Sequence, residues 1–144
     1  MPAIFKSVMT KSAGFRAKAA RPSVPLLQAQ PGAGVVNISS VASMMGRGSS
    51  IAYMASKGAL NAMTIGLAKE VAAEGIRVNA VRPGLIETEI HASGGLPNRV
   101  RDLQHQVPMQ RGGTADEVAE TIVWLLSPAA SYTTMSLLDV SGGR

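Results

Sequence analysis

Two short runs of aliphatic and β-branched residues, separated by one long helical pattern, limit most strongly what this chain can fold into. The runs cover residues 35–39 (Val-Val-Asn-Ile-Ser) and 76–81 (Ile-Arg-Val-Asn-Ala-Val). Short apolar runs of this kind are typical of strands that are buried on both faces of a sheet. Strands that are joined through a helix pair in parallel, with a right-handed crossover. We therefore predict an α/β fold with a parallel sheet.

The pattern between the two runs predicts one long helix over residues 50–74, with Gly75 ending it. Large apolar side chains recur every three or four residues and so share one face of this helix: Leu60, Met63, Leu67 and Val71. Small side chains form a second stripe along it: Ala52, Ala55, Ala59, Ala62 and Gly66. A stripe of small residues would let another helix approach closely.

The last third of the chain predicts a capped helix followed by a third strand. Thr114 and Glu117 have the spacing of a capping box, in which each side chain bonds the other residue's backbone N–H. Apolar residues follow at helical spacing until Pro128, which ends the helix. Residues 135–140 are the third strand candidate.

Composition excludes several classes of protein. Hydrophobic residues make up 46% of the 144-residue chain and charged residues 16%, which is typical of a globular protein. No apolar run approaches the length that crosses a bilayer, so we expect no membrane partner. The sequence contains no cysteine, which excludes disulfides and thiolate metal sites and fits a reducing compartment, so we expect a cytoplasmic protein.

The net charge of +5 is unevenly distributed, because every acidic residue lies at Glu70 or later. A basic first half can bind nucleic acid or an acidic surface. This one lacks the interleaved aromatic residues that stack on bases and carries no recognisable nucleic-acid-binding motif. We expect a solvated basic face and no nucleic-acid partner.

Residues 1–33 differ in character from the rest, because they combine scattered prolines and basic residues with no acid. Segments of this composition can be organellar transit peptides. Our preferred interpretation is an atypical basic lead segment, disordered or helical, that ends at a turn formed by Pro31 and Gly32. The α/β unit then covers residues 34–144.

Ser40, Tyr53 and Lys57 are the candidate catalytic residues. Tyr53 and Lys57 are four apart at the start of the long helix, so their side chains lie one turn apart on the same face. A phenol is a poor acid or base at neutral pH, and a nearby ammonium group stabilises its phenolate form. Such a tyrosine can exchange a proton with an alcohol or carbonyl oxygen, and Ser40 could hydrogen-bond the same oxygen. Taken alone, the Tyr–Lys pair also fits an ordinary helix surface.

The order and spacing of several motifs favour the catalytic interpretation. A serine ends the first strand, Tyr53-Met-Ala-Ser-Lys57 follows 13 residues later, and the second strand reads Val78-Asn-Ala-Val-Arg-Pro-Gly84. Over residues 34–144 the chain resembles the classical short-chain dehydrogenase/reductase family. The tail agrees with the family at Arg111-Gly-Gly, Glu117-Val-Ala, Trp124-Leu-Leu-Ser, Asp139 and Gly142-Gly143. The resemblance implies a partial doubly wound, Rossmann-like sheet, corresponding to the family's C-terminal half, with about three strands and flanking helices.

The resemblance also implies a reaction, a cofactor and an assembly. A hydride would pass between NAD or NADP and a small-molecule alcohol or carbonyl, with Tyr53 as acid/base, Lys57 on the nicotinamide ribose and Ser40 orienting the substrate oxygen. The nicotinamide end would be contacted by Pro83, Gly84, Ile86 and Thr88. Residues 87–107 would form the variable substrate-binding stretch, closest to bacterial sugar-dehydrogenase-like members. A homo-oligomer would form through the 50–74 helix.

Missing cofactor-binding motifs, together with the odd composition of residues 1–33, support an alternative function. The sequence contains neither the family's glycine-rich turn nor its Asn-Asn-Ala-Gly motif, and Gly46-Arg-Gly48 lacks the features of a phosphate cradle. Met135 stands where the family usually has glycine. The alternative is a truncated, catalytically incompetent fragment that acts only as an oligomerising or interaction module.

Two further classes of site have little support in the sequence. Residues 85–113 are interrupted by glycine and proline, with one short helix expected near 97–105, and the histidines there, His91 and His105, lack the close partners that a metal site needs. We expect no metal. A hydrolase is disfavoured because no Gly-x-Ser-x-Gly motif exists.

Overall fold

The computed structural model describes residues 24–45, 51–93 and 95–144. The described strands are β1 (Gly34–Ile38), β2 (Arg77–Pro83) and β3 (Leu137–Val140). The α-helices are α1 (Val24–Gln28), α2 (Ala42–Met45), α3 (Ile51–Val71), α4 (Ile90–Ser93), α5 (Arg99–Leu103) and α6 (Ala115–Leu126). Single 3₁₀ turns cover Ala72–Glu74, Gln104–Gln106 and Pro128–Ala130. Most of the basic lead segment, and the loop that carries Gly46 and Gly48, lie outside the described residues.

The three strands form one parallel sheet in the order β1-β2-β3. Gly34 lies opposite Arg77 in the first pair, and Ala80 lies opposite Leu137 in the second. The predicted parallel α/β fold is therefore confirmed. Among the described residues β1 is bonded along one edge only, and all five of its residues are partly exposed.

Helices cover both faces of the sheet, as in a doubly wound fold. Side chains of a strand alternate between the two faces, so neighbouring residues pack on different helices. Val35 packs with the cluster that α3 forms with Val78, whereas Val36 packs with the cluster that α6 forms with Val81. The hydrophobic core of this layered fold consists of aliphatic side chains, as the small share of aromatic residues in the sequence requires.

The long helix α3 buries the face that the sequence predicts. Leu60, Leu67 and Val71 are buried and Met63 is partly buried, while all five small residues of the second stripe are exposed. The helix differs from the prediction in its last turn, which tightens to 3₁₀ geometry over Ala72–Glu74. Gly75 then ends it in a left-handed conformation at φ +77°, which glycine adopts without strain.

Helix α6 begins at the predicted capping box. The Thr114 hydroxyl accepts a hydrogen bond from the Glu117 N–H at 3.2 Å, and the Glu117 carboxylate accepts one from the Thr114 N–H at 2.8 Å. At the other end, the Arg77 guanidinium donates to the Leu125 carbonyl oxygen at 2.5 Å. Partial burial lowers the pKa of Arg77 below its ordinary value. Arg77 thus ties the C-terminus of α6 to the start of β2 by satisfying a free helix carbonyl.

The third strand begins two residues later than its sequence pattern predicts. Met135 adopts a left-handed conformation at φ +64°, which breaks the extended backbone just before β3. The buried Asn79 side chain accepts a hydrogen bond from the Ser136 N–H at 3.0 Å and donates to the Thr133 carbonyl oxygen at 2.9 Å. A long-range polar contact therefore sets where β3 starts.

No helix among the described residues is both long and apolar enough to span a bilayer.

Candidate active site

The carboxyl ends of all three strands meet at one edge of the sheet. The Ser39 N–H donates to the Val81 carbonyl oxygen at 2.8 Å, and the Val41 N–H donates to that of Pro83 at 3.2 Å. The Gly84 N–H donates in turn to the Val140 carbonyl oxygen at 2.9 Å. In open α/β sheets this edge is where ligands bind. Pro83 is the last residue of β2, Gly84 follows it, and Ser40 is the second residue after β1.

Gly84 allows two chain segments to come together at this edge. A Cβ atom at this position would lie 2.7 Å from the Ser141 Cα and 3.1 Å from its carbonyl oxygen. Because the clash is with backbone, a larger residue would push the loop after β3 away. Glycine at this position therefore brings the segments that follow β2 and β3 into contact.

Tyr53 and Lys57 lie one turn apart at the start of α3. The Lys57 Nζ is 5.7 Å from the centroid of the Tyr53 ring and donates a hydrogen bond to the Ile38 carbonyl oxygen at 2.7 Å. The Tyr53 side chain is about half exposed, at 48%. This arrangement holds an ammonium group between a solvent-accessible phenol and the last residue of β1.

Ser40 lies in the segment between β1 and α2. It is buried, and its Oγ accepts a hydrogen bond from the Ala42 N–H at 3.2 Å. Its carbonyl oxygen accepts from both the N–H and the hydroxyl of Ser43, at 3.1 and 2.7 Å. The Ser40 backbone is therefore held by the first turn of α2.

Asn61 is a site-adjacent residue that our sequence analysis missed. Its Oδ1 accepts a hydrogen bond from the Ser39 hydroxyl at 2.6 Å, and its Nδ2 donates to the Ser43 hydroxyl at 2.8 Å. Asn61 is four residues beyond Lys57 and eight beyond Tyr53, so all three share a helix face. That spacing, together with serines on both sides of Ser40, was the available signal.

The remaining predicted cofactor contacts divide into backbone and side-chain candidates. The Ile86 side chain is buried in the α6 cluster, so a ligand contact from this residue would come from its main chain. Its carbonyl oxygen is hydrogen-bonded to His91 Nε2 at 2.9 Å. Thr88 is exposed and lines a cavity of about 310 Å³ together with polar side chains of the predicted substrate stretch: Glu87, His91, Asn98, Arg101 and Gln104.

A β-bridge and an ion pair hold the segments that flank the predicted substrate stretch, residues 87–107. Ile86 and Gly113 form an isolated parallel bridge, with hydrogen bonds of 2.8 and 2.9 Å on either side of it. Arg111 makes a two-pronged ion pair with Glu117, at 2.5 and 2.9 Å. The Arg111 hydrogen bond, followed by that of the Thr114 N–H, lowers the pKa of Glu117 from 4.5 to about 2. The bridge joins Ile86, just before this stretch, to Gly113, just before α6, and the ion pair holds Arg111 against the first turn of α6.

The side chains described in this part of the chain are polar groups without a metal-binding arrangement. No group of three or more His, Asp or Glu side chains in the described ranges is placed to hold a metal ion. What the strand ends do collect is a phenol, an ammonium group and several hydroxyls. These groups lie at the carboxyl edge of a parallel sheet, where ligands bind in open α/β folds.

Comparisons with known proteins agree with this fold. A family model described as enoyl-(acyl carrier protein) reductase matches residues 3–144. The chain is 59% identical to the uncharacterised oxidoreductase YgfF of Escherichia coli K12 over 114 residues, which cover 78% of this chain and 46% of that relative. The chain belongs to the short-chain dehydrogenase/reductase family.

The fold of this chain is similar to the folds of solved structures, two of which show the extent of the likeness. One is a short-chain dehydrogenase/reductase from Brucella melitensis described as a glucose/ribitol dehydrogenase, with a TM-score of 0.77, 36% identity, and coverage of 86% of this chain and 49% of that one. The other is an NADPH-bound short-chain oxidoreductase from Pseudomonas aeruginosa PAO1 with an atypical catalytic center, with a TM-score of 0.77, 29% identity, and coverage of 86% and 50%. The chain spans about half the length of the relatives it matches.

Proposed function

We propose that the chain carries the proton-exchange half of an oxidoreductase site, acting on an alcohol or carbonyl substrate with NAD or NADP. The observation that carries the proposal is the position of the Lys57 ammonium. It lies 5.7 Å from the Tyr53 ring centroid and is hydrogen-bonded to Ile38, two residues before Ser40. The Lys57 ammonium thus lies between the Tyr53 phenol and the end of β1, which leads to Ser40.

Each of the three side chains has a distinct part in the proposed reaction. In the reducing direction the Tyr53 hydroxyl would give its proton to the substrate carbonyl oxygen, and in the oxidising direction the phenolate would take the alcohol proton. The Ser40 hydroxyl would donate a hydrogen bond to the same oxygen. Lys57 would stabilise the phenolate through its positive charge. The bound NAD(P) would supply or accept the hydride.

The donor set fits the nicotinamide end of such a cofactor. The Lys57 ammonium has the chemistry to donate hydrogen bonds to ribose hydroxyls, and the strand-end segment with Pro83 and Gly84 offers main-chain groups beside it. Thr88, and Ile86 through its main chain, would complete this end. The NADPH-bound Pseudomonas relative supports a nicotinamide cofactor for the family to which the chain belongs. We assign only this end of the cofactor to the chain, because its sequence contains no glycine-rich phosphate cradle.

Cofactor titration with a lysine variant tests this assignment. NADH and NADPH fluorescence are followed on titration with wild type, Lys57→Met and the control Lys69→Met, whose lysine is exposed near the end of the same helix. We expect Lys57→Met to weaken binding roughly 10-fold or more, since it removes charged hydrogen bonds to the ribose. Lys69→Met should bind like wild type. Wild type that binds neither cofactor, or Lys57→Met that binds as well as wild type, would contradict the proposal.

An interaction module without turnover is the second candidate function. The supporting observation is that all five small residues of the α3 stripe are exposed: Ala52, Ala55, Ala59, Ala62 and Gly66. Such a stripe would pack against the same stripe of a second copy. Light scattering on a sizing column distinguishes the outcomes, because a clean monomer contradicts the module.

A cytoplasmic location is also part of the proposed function, and it rests on the absence of cysteine.

A further inference from the structure

One face of α3 binds the end of β1 through a row of polar contacts. Lys57, Asn61 and Thr64 recur at helical spacing along this face. The row contacts consecutive positions of β1 and the residue after it. Lys57 Nζ bonds the Ile38 carbonyl oxygen, Asn61 Oδ1 accepts from the Ser39 hydroxyl, and Thr64 Oγ1 accepts from Asn37 Nδ2, at 2.7, 2.6 and 2.9 Å. Of the three, only Lys57 and Asn61 reach the last residue of β1 and the segment that leads to Ser40.

Asn61 is the member of this row that holds both sides of Ser40. Its carbonyl oxygen accepts from Ser39, immediately before Ser40, and its amide nitrogen donates to Ser43, three residues after it. The Ser43 hydroxyl donates its own hydrogen bond to the Ser40 carbonyl oxygen at 2.7 Å. That hydroxyl must therefore accept from Asn61, which fixes the orientation of the amide group.

We propose that Asn61 is a positioning residue that fixes Ser40 relative to Tyr53 and Lys57. The inference rests on the proposed function, because it gives Ser40 a substrate oxygen to orient. Ser39 and Ser40 are buried, so water competes weakly for these hydrogen bonds. Holding both Ser39 and Ser43 requires a donor and an acceptor on one short side chain. Neither aspartate nor leucine provides both.

Thr64 provides the matched control. It lies on the same face, one turn beyond Asn61, is fully buried, and bonds the strand residue Asn37 instead of the segment around Ser40. Thr64→Val keeps the shape of the side chain and removes its hydroxyl. This variant should lose stability through the unpaired Asn37 amide and leave the position of Ser40 unchanged.

Hydrogen exchange gives a readout that does not depend on turnover. The N–H groups of Ala42, Ser43 and Met44 bond Ser40 or its neighbour Val41, so they report on this segment. In Asn61→Leu we expect their exchange to rise about 10-fold or more relative to the β2 amides, because the variant loses the hydrogen bonds to both Ser39 and Ser43, and a single hydrogen bond already changes local opening by about this factor. Thr64→Val should show no such selective increase. Ser43→Ala, at a partly exposed position, should reproduce the increase and serves if Asn61→Leu does not fold.

Kinetics then separate positioning from general loosening. With NADPH and a carbonyl substrate that wild type reduces, we expect Asn61→Leu to lower kcat about 10- to 100-fold with little change in KM, because misplaced groups slow the reaction. Thr64→Val should keep the wild-type kcat. Three outcomes would overturn the proposal. Exchange near Ser40 could stay unchanged in Asn61→Leu, or it could rise equally in Asn61→Leu and Thr64→Val. It could also rise selectively in Asn61→Leu while kcat stays at the wild-type value. Wild type without turnover contradicts the proposed function, and the exchange comparison then decides by itself whether Asn61 holds Ser40.

Discussion

Met135 shows how a single position combines a sequence departure with a local cost. The family that this sequence resembles usually has glycine there, and the structure gives the reason: the residue has φ +64°, and its N–H bonds the Val78 carbonyl oxygen at 2.7 Å. An L-residue in this conformation is strained by about 1–2 kcal/mol, because its Cβ approaches the following carbonyl oxygen. The Met135 side chain offsets part of this cost by packing against the α3 cluster.

Replacing Met135 separates the backbone strain from the side-chain packing. Met135→Ala and Met135→Gly both remove the packing, but only glycine relieves the strain. We expect the glycine variant to be more stable than the alanine variant by about 1 kcal/mol, measured by urea unfolding. Ala62→Gly on the exposed face of α3 is the control, where glycine should be less stable than alanine by about 1 kcal/mol. An alanine variant at 135 as stable as the glycine variant would contradict the strain.

At the scale of elements, local pattern predicted the strands and helices but not the contacts between them. Apolar runs and helical spacing placed β1, β2, α3 and α6, because burial imposes those periods on the sequence. The short helices α2 and α4 were missed, since four residues carry too little pattern to be distinguished from loop. The start of β3 was misplaced, because it depends on a buried side chain from another strand.

The candidate site divides in the same way. Ser40, Tyr53 and Lys57 were predicted from their spacing and from the family resemblance. Asn61 was missed because its role depends on two serines that come near it only when the helix packs on the strand. The bridge that flanks the substrate stretch was missed for the same reason, since Ile86 and Gly113 pair across 27 positions of sequence.

The N-terminal cap of α6 predicts a specific response to acid. Glu117 has a folded-state pKa of about 2 against an ordinary 4.5, so its stabilising contribution is complete above about pH 4.5 and is lost as the pH falls towards 2. We expect the melting temperature of wild type to fall more over this interval than that of Glu117→Gln. Glu120→Gln, an exposed acid on the same helix, should keep the wild-type response. Equal responses in wild type and Glu117→Gln would show that the cap does not stabilise the fold.

At the scale of the whole molecule, the sheet and the site share one edge. Parallel strands bring their carboxyl ends together, so the topology alone places the residues after β1, β2 and β3 at one edge. α3 then brings the Lys57 ammonium to the end of β1, and the segment before α6 pairs with Ile86, just before the predicted substrate stretch. This edge lies within a chain that spans about half the length of its relatives.

Turnover by two tyrosine variants tests the central claim most directly. The chain has two tyrosines, Tyr53 at the site and Tyr132, which is fully exposed in the loop before β3. With NADPH and a carbonyl substrate, we predict that Tyr53→Phe lowers kcat about 100-fold or more, because it removes the general acid. Tyr132→Phe should keep the wild-type rate. A Tyr53→Phe variant that turns over as fast as Tyr132→Phe would contradict the account.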